Sequence, residues 1–260
     1  MNTLQLTTSI KKELWEYKKI FFWIPLIIAA LIIVAPVLIY LINGASSTEH
    51  WLPRWQQLAE LQQIEFFSRL VYGFVSVLFI PFLAIATVIQ FYYLLACLYD
   101  ERKDLSVLFW RSLPVSDSMS VAVKLLTGSV IVPVIFMLTA TATLVIFLIL
   151  AFILCAVLSL GYDISLWSLW GASDIFTNLF SVWISLLPYI LWLFPLYAWL
   201  MLVSMFASKA PFLWATLPVV VICLIEVFIS HYFKLDGTFI SHALAEYFSI
   251  TADTMNGYVQ

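Results

Sequence analysis

Between Lys124 and Asp163 the chain runs without a single charged side chain, and similar charge-free runs separate Lys19 from Glu49, Arg69 from Asp100, and Asp174 from Lys209. A charge near the centre of a bilayer costs about 2.5–3.5 kcal/mol even on insertion scales, so runs of this length mark membrane spans more firmly than any propensity. Composition agrees. At 64% hydrophobic and 10% charged residues, the chain carries more apolar surface than a water-soluble fold of 260 residues can hide. The expected fold class is an all-α polytopic membrane protein, with spans at about 20–42, 71–98, 125–160, 183–206 and 211–229 forming one domain. The first apolar run is too long for a signal-peptide core and lacks a small-residue cleavage site, so it is expected to remain as a span.

The run from Leu125 to Tyr162 admits one long helix or a hairpin of two short ones. Nothing between Pro133 and Gly161 is Gly, Pro, Asn or Asp. A hairpin would therefore have to reverse on residues such as Ala140 to Thr143 with its backbone unsatisfied in lipid. One span is the favoured reading, with the hairpin as its alternative. Lysines and arginines then divide unevenly. Lys11, Lys12, Lys18, Lys19, Arg102, Lys103, Arg111, Lys124 and Lys209 share one side, while Arg54, Arg69 and Lys234 share the other. The positive-inside rule places the N-terminus and the 99–119 loop in the cytoplasm and the 43–70 loop outside.

Two flanking segments read as surface helices. From Ser9 to Lys19, Ile10, Leu14 and Tyr17 recur at helical spacing among four lysines, the pattern of an interfacial amphipathic helix or of a snorkelling anchor. From Trp51 to Arg69, Leu58, Leu61 and Ile64 alternate with Gln and Glu and lead into the second span. Every span carries proline: Pro25, Pro36, Pro81, Pro133, Pro188, Pro195 and Pro218. Neighbouring helices must then re-satisfy the carbonyls that proline frees.

Motifs for chemistry are missing. The sequence contains no GxxxxGK[ST], HExxH or GxSxG. Cys97, Cys155 and Cys223 lie in apolar runs without ligand spacing and are expected to pack, and His50, His231 and His242 fall outside the apolar runs. No catalytic residue, metal site or nucleic-acid partner is expected. Glu226 is the one ionised residue well inside an expected span, and it stands either on a transport pathway or near enough to the interface to snorkel.

The most informative segment is YDERKDLSVLFWRSLPVSD, Tyr99 to Asp117, which places Leu105, Leu108, Phe109 and Trp110 among Glu101, Arg102, Asp104 and Arg111 before a proline. An apolar cluster of this kind in a polar loop reads as a docking helix for a protein or for the bilayer face. Together with SKAPFLWATLP from Ser208 to Pro218, it resembles the loops of type-2 ABC-transporter permeases of Gram-negative bacteria. The resemblance implies an inner-membrane subunit that pairs with a second permease copy and with cytosolic ATP-binding subunits, which hold the ATP and Mg2+. It makes 99–119 the coupling loop, with Glu101, Arg102, Asp104, Leu105, Leu108, Phe109, Trp110 and Arg111 transmitting the ATPase movement. It also makes the Ser9–Lys19 segment the family's N-terminal interfacial helix. Such permeases have six spans, so a continuation past Gln260 is expected, or else the hairpin. The rival reading is a membrane scaffold that recruits a cytosolic partner through the same loop without transport.

Overall fold

The computed structural model describes residues 3–43, 64–104, 116–162, 167, 174–233, 243 and 246–247, and among them every regular element is helical. Helix α1 covers Thr3–Glu16, and a π-helical turn, Lys19–Trp23, leads into α2, Ile24–Asn43. Helix α3 is Ile64–Lys103 and α4 is Asp117–Leu126. A second π-helical turn, Thr127–Ile131, joins α4 to α5, Val132–Tyr162, and α6 (Ile175–Phe206) and α7 (Pro211–Phe233) complete the bundle. Among the described residues five stretches are long and apolar enough to cross a membrane: Lys19–Ile39, Arg69–Lys103, Asp117–Tyr162, Ile175–Phe206 and Pro211–Tyr232. The polytopic expectation therefore stands, and α4, the π turn and α5 form one continuous span.

Continuity through Ala140–Thr143 has a simple cause. The hydroxyls of Thr139, Thr141 and Thr143 each donate to the carbonyl four residues back, those of Ile135, Met137 and Thr139, at 2.9, 2.8 and 2.9 Å. A threonine that turns its hydroxyl onto its own helix needs no water, so this polar stretch stays helical in an apolar setting.

Helix α3 is the hub. Val75, Leu78, Phe79, Phe82, Ala86, Ile89, Gln90, Tyr93, Leu94 and Cys97 form a buried stripe at three- and four-residue spacing. Its most apolar stretch is 39% buried, against 33% for α6 and 6% for α7, so α3 and α6 form the core pair and α7 lies at the edge. Successive spans run antiparallel. Glu101 near the end of α3 meets Lys124 on α4, and Arg102 reaches the carbonyls of Ser204 and Ala207 where α6 stops. Phe74, early in α3, stacks edge-on against Phe147 far along α5.

The second π turn shows how the bundle accommodates proline. Val132 N–H bonds Thr127 O, one residue beyond the α register. Pro133 has no N–H, so Ser129 O loses the partner an α register would supply and Gly128 O loses the one a π register would supply. The fully buried Gln90 on α3 fills both vacancies: its Nε2 lies 3.0 Å from Gly128 O and 3.5 Å from Ser129 O. Its Oε1 accepts from Tyr189 of α6 at 2.7 Å, and Tyr189 also bonds Thr87 at 2.8 Å. One amide thus ties α3, α4–α5 and α6 at the proline.

Helices continue past the expected span ends at four places. Helix α3 begins at Ile64, upstream of residue 71, so 64–70 belong to it and not to a separate surface helix. At its far end α3 extends through Lys103, into the expected loop. Helix α6 starts at Ile175, ahead of 183. Helix α4 starts at Asp117, ahead of Leu125, and Lys124 is neutralised inside it. Residues 51–63 of the expected surface helix, and His50 and His242, lie outside the described residues.

Gly128 packs directly against side chains of α3. A Cβ there would lie 2.6 Å from Leu94 Cδ2, 2.9 Å from Leu94 Cγ and 3.1 Å from Tyr93 Cδ1, whereas Gly73 and Gly161 face open space. Gly128→Ala is expected to cost about 1–3 kcal/mol by overpacking. Gly73→Ala should be neutral or gain up to about 1 kcal/mol through helix propensity. Thermal unfolding of the purified protein in detergent separates the two.

Candidate functional site: a buried ionic junction

Helix α1 turns one face inward, with Ile10, Glu13, Leu14 and Tyr17 at three- and four-residue spacing. At the centre of that face is a carboxylate, Glu13, only 3% exposed. Glu13 Oε1 lies 2.9 Å from Lys124 Nζ, and Glu13 Oε2 accepts from the Tyr93 hydroxyl at 2.8 Å. Lys124, likewise 3% exposed, also reaches Glu101 Oε1 at 3.1 Å, and Glu101 takes Lys12 Nζ at 3.0 Å. Lys12 returns to Glu13 at 3.7 Å and to Glu16 at 3.8 Å. The result is a ring of alternating charge, Glu13, Lys124, Glu101 and Lys12, that joins α1 to the end of α3 and to α4.

An aromatic layer lies beneath the ring. Tyr93 meets Tyr17 and Phe21 edge-on, with centroids 5.0 and 5.3 Å apart, and Tyr17 stacks on Phe21 at 5.8 Å. These rings close the junction on one side and supply the Tyr93 hydroxyl that completes Glu13. At the margin, partial burial raises the Glu16 carboxyl above its ordinary value, with Lys12 opposing the shift, and burial pushes the Tyr17 phenol well up, so that it stays neutral.

The end of α3 is held from its other flank by α6. The Ser204 hydroxyl donates to Leu95 O at 2.7 Å and accepts from Tyr99 N–H at 3.1 Å, inserting itself between two groups of the α3 ladder. Arg102 donates to Ser204 O at 3.1 Å and to Ala207 O, satisfying carbonyls that the end of α6 leaves open and placing a cation at its negative pole. The segment 105–115 therefore departs from a clamped helix end and returns into α4, whose Lys124 is locked in the ring.

Of the residues expected to transmit movement, Glu101 and Arg102 have structural mounts, and Asp104 lies exposed at the end of α3. Leu105, Leu108, Phe109, Trp110 and Arg111 lie outside the described residues. Glu226 sits half-buried on α7, about 22 Å along the helix from Pro211. Cys97 and Cys155 are buried as expected, and Cys223 is partly so. Among the described residues no group of His, Cys, Asp and Glu could hold a metal ion.

The sequence reading missed Glu13 and Lys124. A signal for Glu13 was present, because it falls on the Ile10–Leu14–Tyr17 face. None existed for Lys124, whose partner is 111 residues away. No protein-family model, curated protein or solved structure matches this chain.

Breaking a buried ion pair costs far more than replacing both partners, because one charge is left stranded. Lys124→Met is expected to destabilise the protein by about 3–5 kcal/mol. Adding Glu13→Gln should recover a substantial part of that loss. A double-mutant cycle on thermal unfolding in detergent checks both, and additive losses would show that the two groups do not interact.

Proposed function

We propose that this chain is the membrane-spanning permease subunit of an ATP-binding-cassette exporter in a bacterial inner membrane. In this reading the N-terminus is cytoplasmic and the chain pairs with a second permease copy. Separate cytosolic subunits bind and hydrolyse ATP with Mg2+, so this chain is not itself the enzyme. The observation that carries the proposal is the mount of the 105–115 segment. Its two shoulders, the end of α3 and the start of α4, are fixed to each other and to α1 by buried charges. Docking alone needs an exposed apolar face on a tether, whereas work done on the spans needs a stiff connection from that face into the bundle.

On this reading ATP binding closes the partner subunits and displaces the Phe109–Trp110 face. Glu101, Lys124 and Arg102 carry the displacement into α3, α4–α5 and α6, and the proline-broken spans exchange inward for outward access. The spans change state because the closed ATPase contacts the two arrangements differently. A scaffold that only recruits a cytosolic partner shares the docking face and gains nothing from the junction.

Two variants separate these readings. Phe109→Ala with Trp110→Ala should abolish co-purification with the ATP-binding subunit. Glu13→Gln with Lys124→Met should keep co-purification and lower permease-stimulated ATP hydrolysis by about tenfold or more, the loss of about 1.4 kcal/mol or more of coupling. Undiminished complex formation in the first would end the coupling role, undiminished stimulation in the second would show that the junction does not carry the coupling, and no stimulation by the unaltered chain would favour the scaffold. Glu226→Gln should alter substrate export in reconstituted vesicles while leaving assembly intact; unchanged export would remove Glu226 from the pathway.

A further inference from the structure

The lysines of the N-terminal segment face two directions. Lys12 belongs to the buried ring. Lys11, Lys18 and Lys19 are exposed and form no ion pair among the described residues. Lys11, Trp15, Lys18 and Phe22 succeed one another at four- and three-residue steps, so they share one stripe on the side of the helix away from Glu13 and Tyr17. Trp15 is 72% exposed, with Lys18 Nζ 5.5 Å above its ring, and Trp23 is 65% exposed at the stripe's lower end.

The depth of this stripe is fixed by what the opposite face touches. Glu13 bonds Tyr93, which stands ten residues before the end of α3, about 15 Å along the axis. The stripe therefore flanks the spans and does not project beyond them. It also runs directly into the membrane-crossing stretch that begins at Lys19. We propose that the Lys11–Trp15–Lys18–Phe22 face is a binding surface for anionic phospholipid headgroups. It interleaves two ammonium groups with aromatic rings and ends on Phe22, offering charge to phosphate and apolar surface to the adjoining hydrocarbon. An acidic protein surface would match the lysines and leave Phe22 and Trp23 without an apolar counterpart. The inference does not depend on the permease reading, since it requires only that the spans lie in a bilayer.

The test uses the full chain in mixed micelles, titrated with phosphatidylglycerol and with phosphatidylcholine, with retained lipid read by native mass spectrometry. The unaltered protein should retain phosphatidylglycerol in preference. Lys11→Gln with Lys18→Gln should lower that preference about 25-fold, at about fivefold for each lysine beside an anionic surface. Lys209→Gln, a single charge on the exposed turn between α6 and α7, should lower it by no more than about fivefold. No preference in the unaltered protein, or an equal loss in Lys209→Gln, would overturn the proposal, the latter by showing that only net charge matters. A photo-crosslinking side chain at position 15 should capture lipid in native membranes, and capture of a protein in its place would equally overturn it.

Discussion

Lys124 stands inside a helix that runs from Asp117 to Tyr162 with no other charge after its first residue, and that placement is tolerable only because Glu13 and Glu101 lie within 2.9 and 3.1 Å of its ammonium group. Desolvating a lone ammonium costs several kcal/mol, so the helix could not cross this level of the bundle without its partners. The partners come from elsewhere. One is on α1, which would otherwise be a surface appendage, and the other is on the last turns of α3. The charge thereby dictates that three elements meet at one end of the molecule. Apolar packing alone could hold these helices together at many registers, whereas an ion ring with a buried tyrosine hydroxyl has one.

A second constraint operates deeper, at Pro133. Losing an N–H in an apolar environment leaves a carbonyl that neither lipid nor apolar side chains can satisfy. The chain answers with a π turn that offers the Gly128 and Ser129 carbonyls outward and with Gln90, which reaches both. Glycine at 128 suits this, because a Cβ there would press on the Leu94 side chain of α3. The two polar sites share elements: Gln90 and Tyr93 lie one turn apart on α3, and Gly128 and Lys124 one turn apart across α4 and the π turn. The ring and the proline site are thus mounted on the same two helical faces.

The number of spans and the single third helix were legible in the sequence because they follow from charge-free length and from the absence of turn residues. What the charge pattern did not give was where the third helix begins. An isolated charge marks the end of an apolar run, and a charge whose partner is far away in sequence can lie buried inside a longer helix, as Lys124 does. Glu13 illustrates the complementary failure. It shares a face with Ile10, Leu14 and Tyr17, yet a carboxylate on an apolar face reads as interfacial until something across from it supplies a cation. Arg102 looked like a docking residue, and its structural bonds are to the end of α6, an adjacency no local pattern encodes. Gln90 was visible as the one amide in the second span, and its role depended on a proline in another helix.

The N-terminal helix draws the two halves of the molecule's chemistry together. Its inner face supplies Lys12 and Glu13 to the ring, and its outer face presents Lys11, Trp15 and Lys18 to the surroundings. A helix packed by apolar contacts alone could slide or rotate when its outer face met a charged surface. Here rotation would withdraw Glu13 from Lys124 and Tyr93 and Lys12 from Glu101, leaving the Glu13 carboxylate and the Tyr93 hydroxyl without these partners and Lys124 with Glu101 alone. The cost of that misalignment makes α1 stiff about its own axis. Any force at the bilayer surface, or at the segment that departs from α3, is then borne by the same four charges.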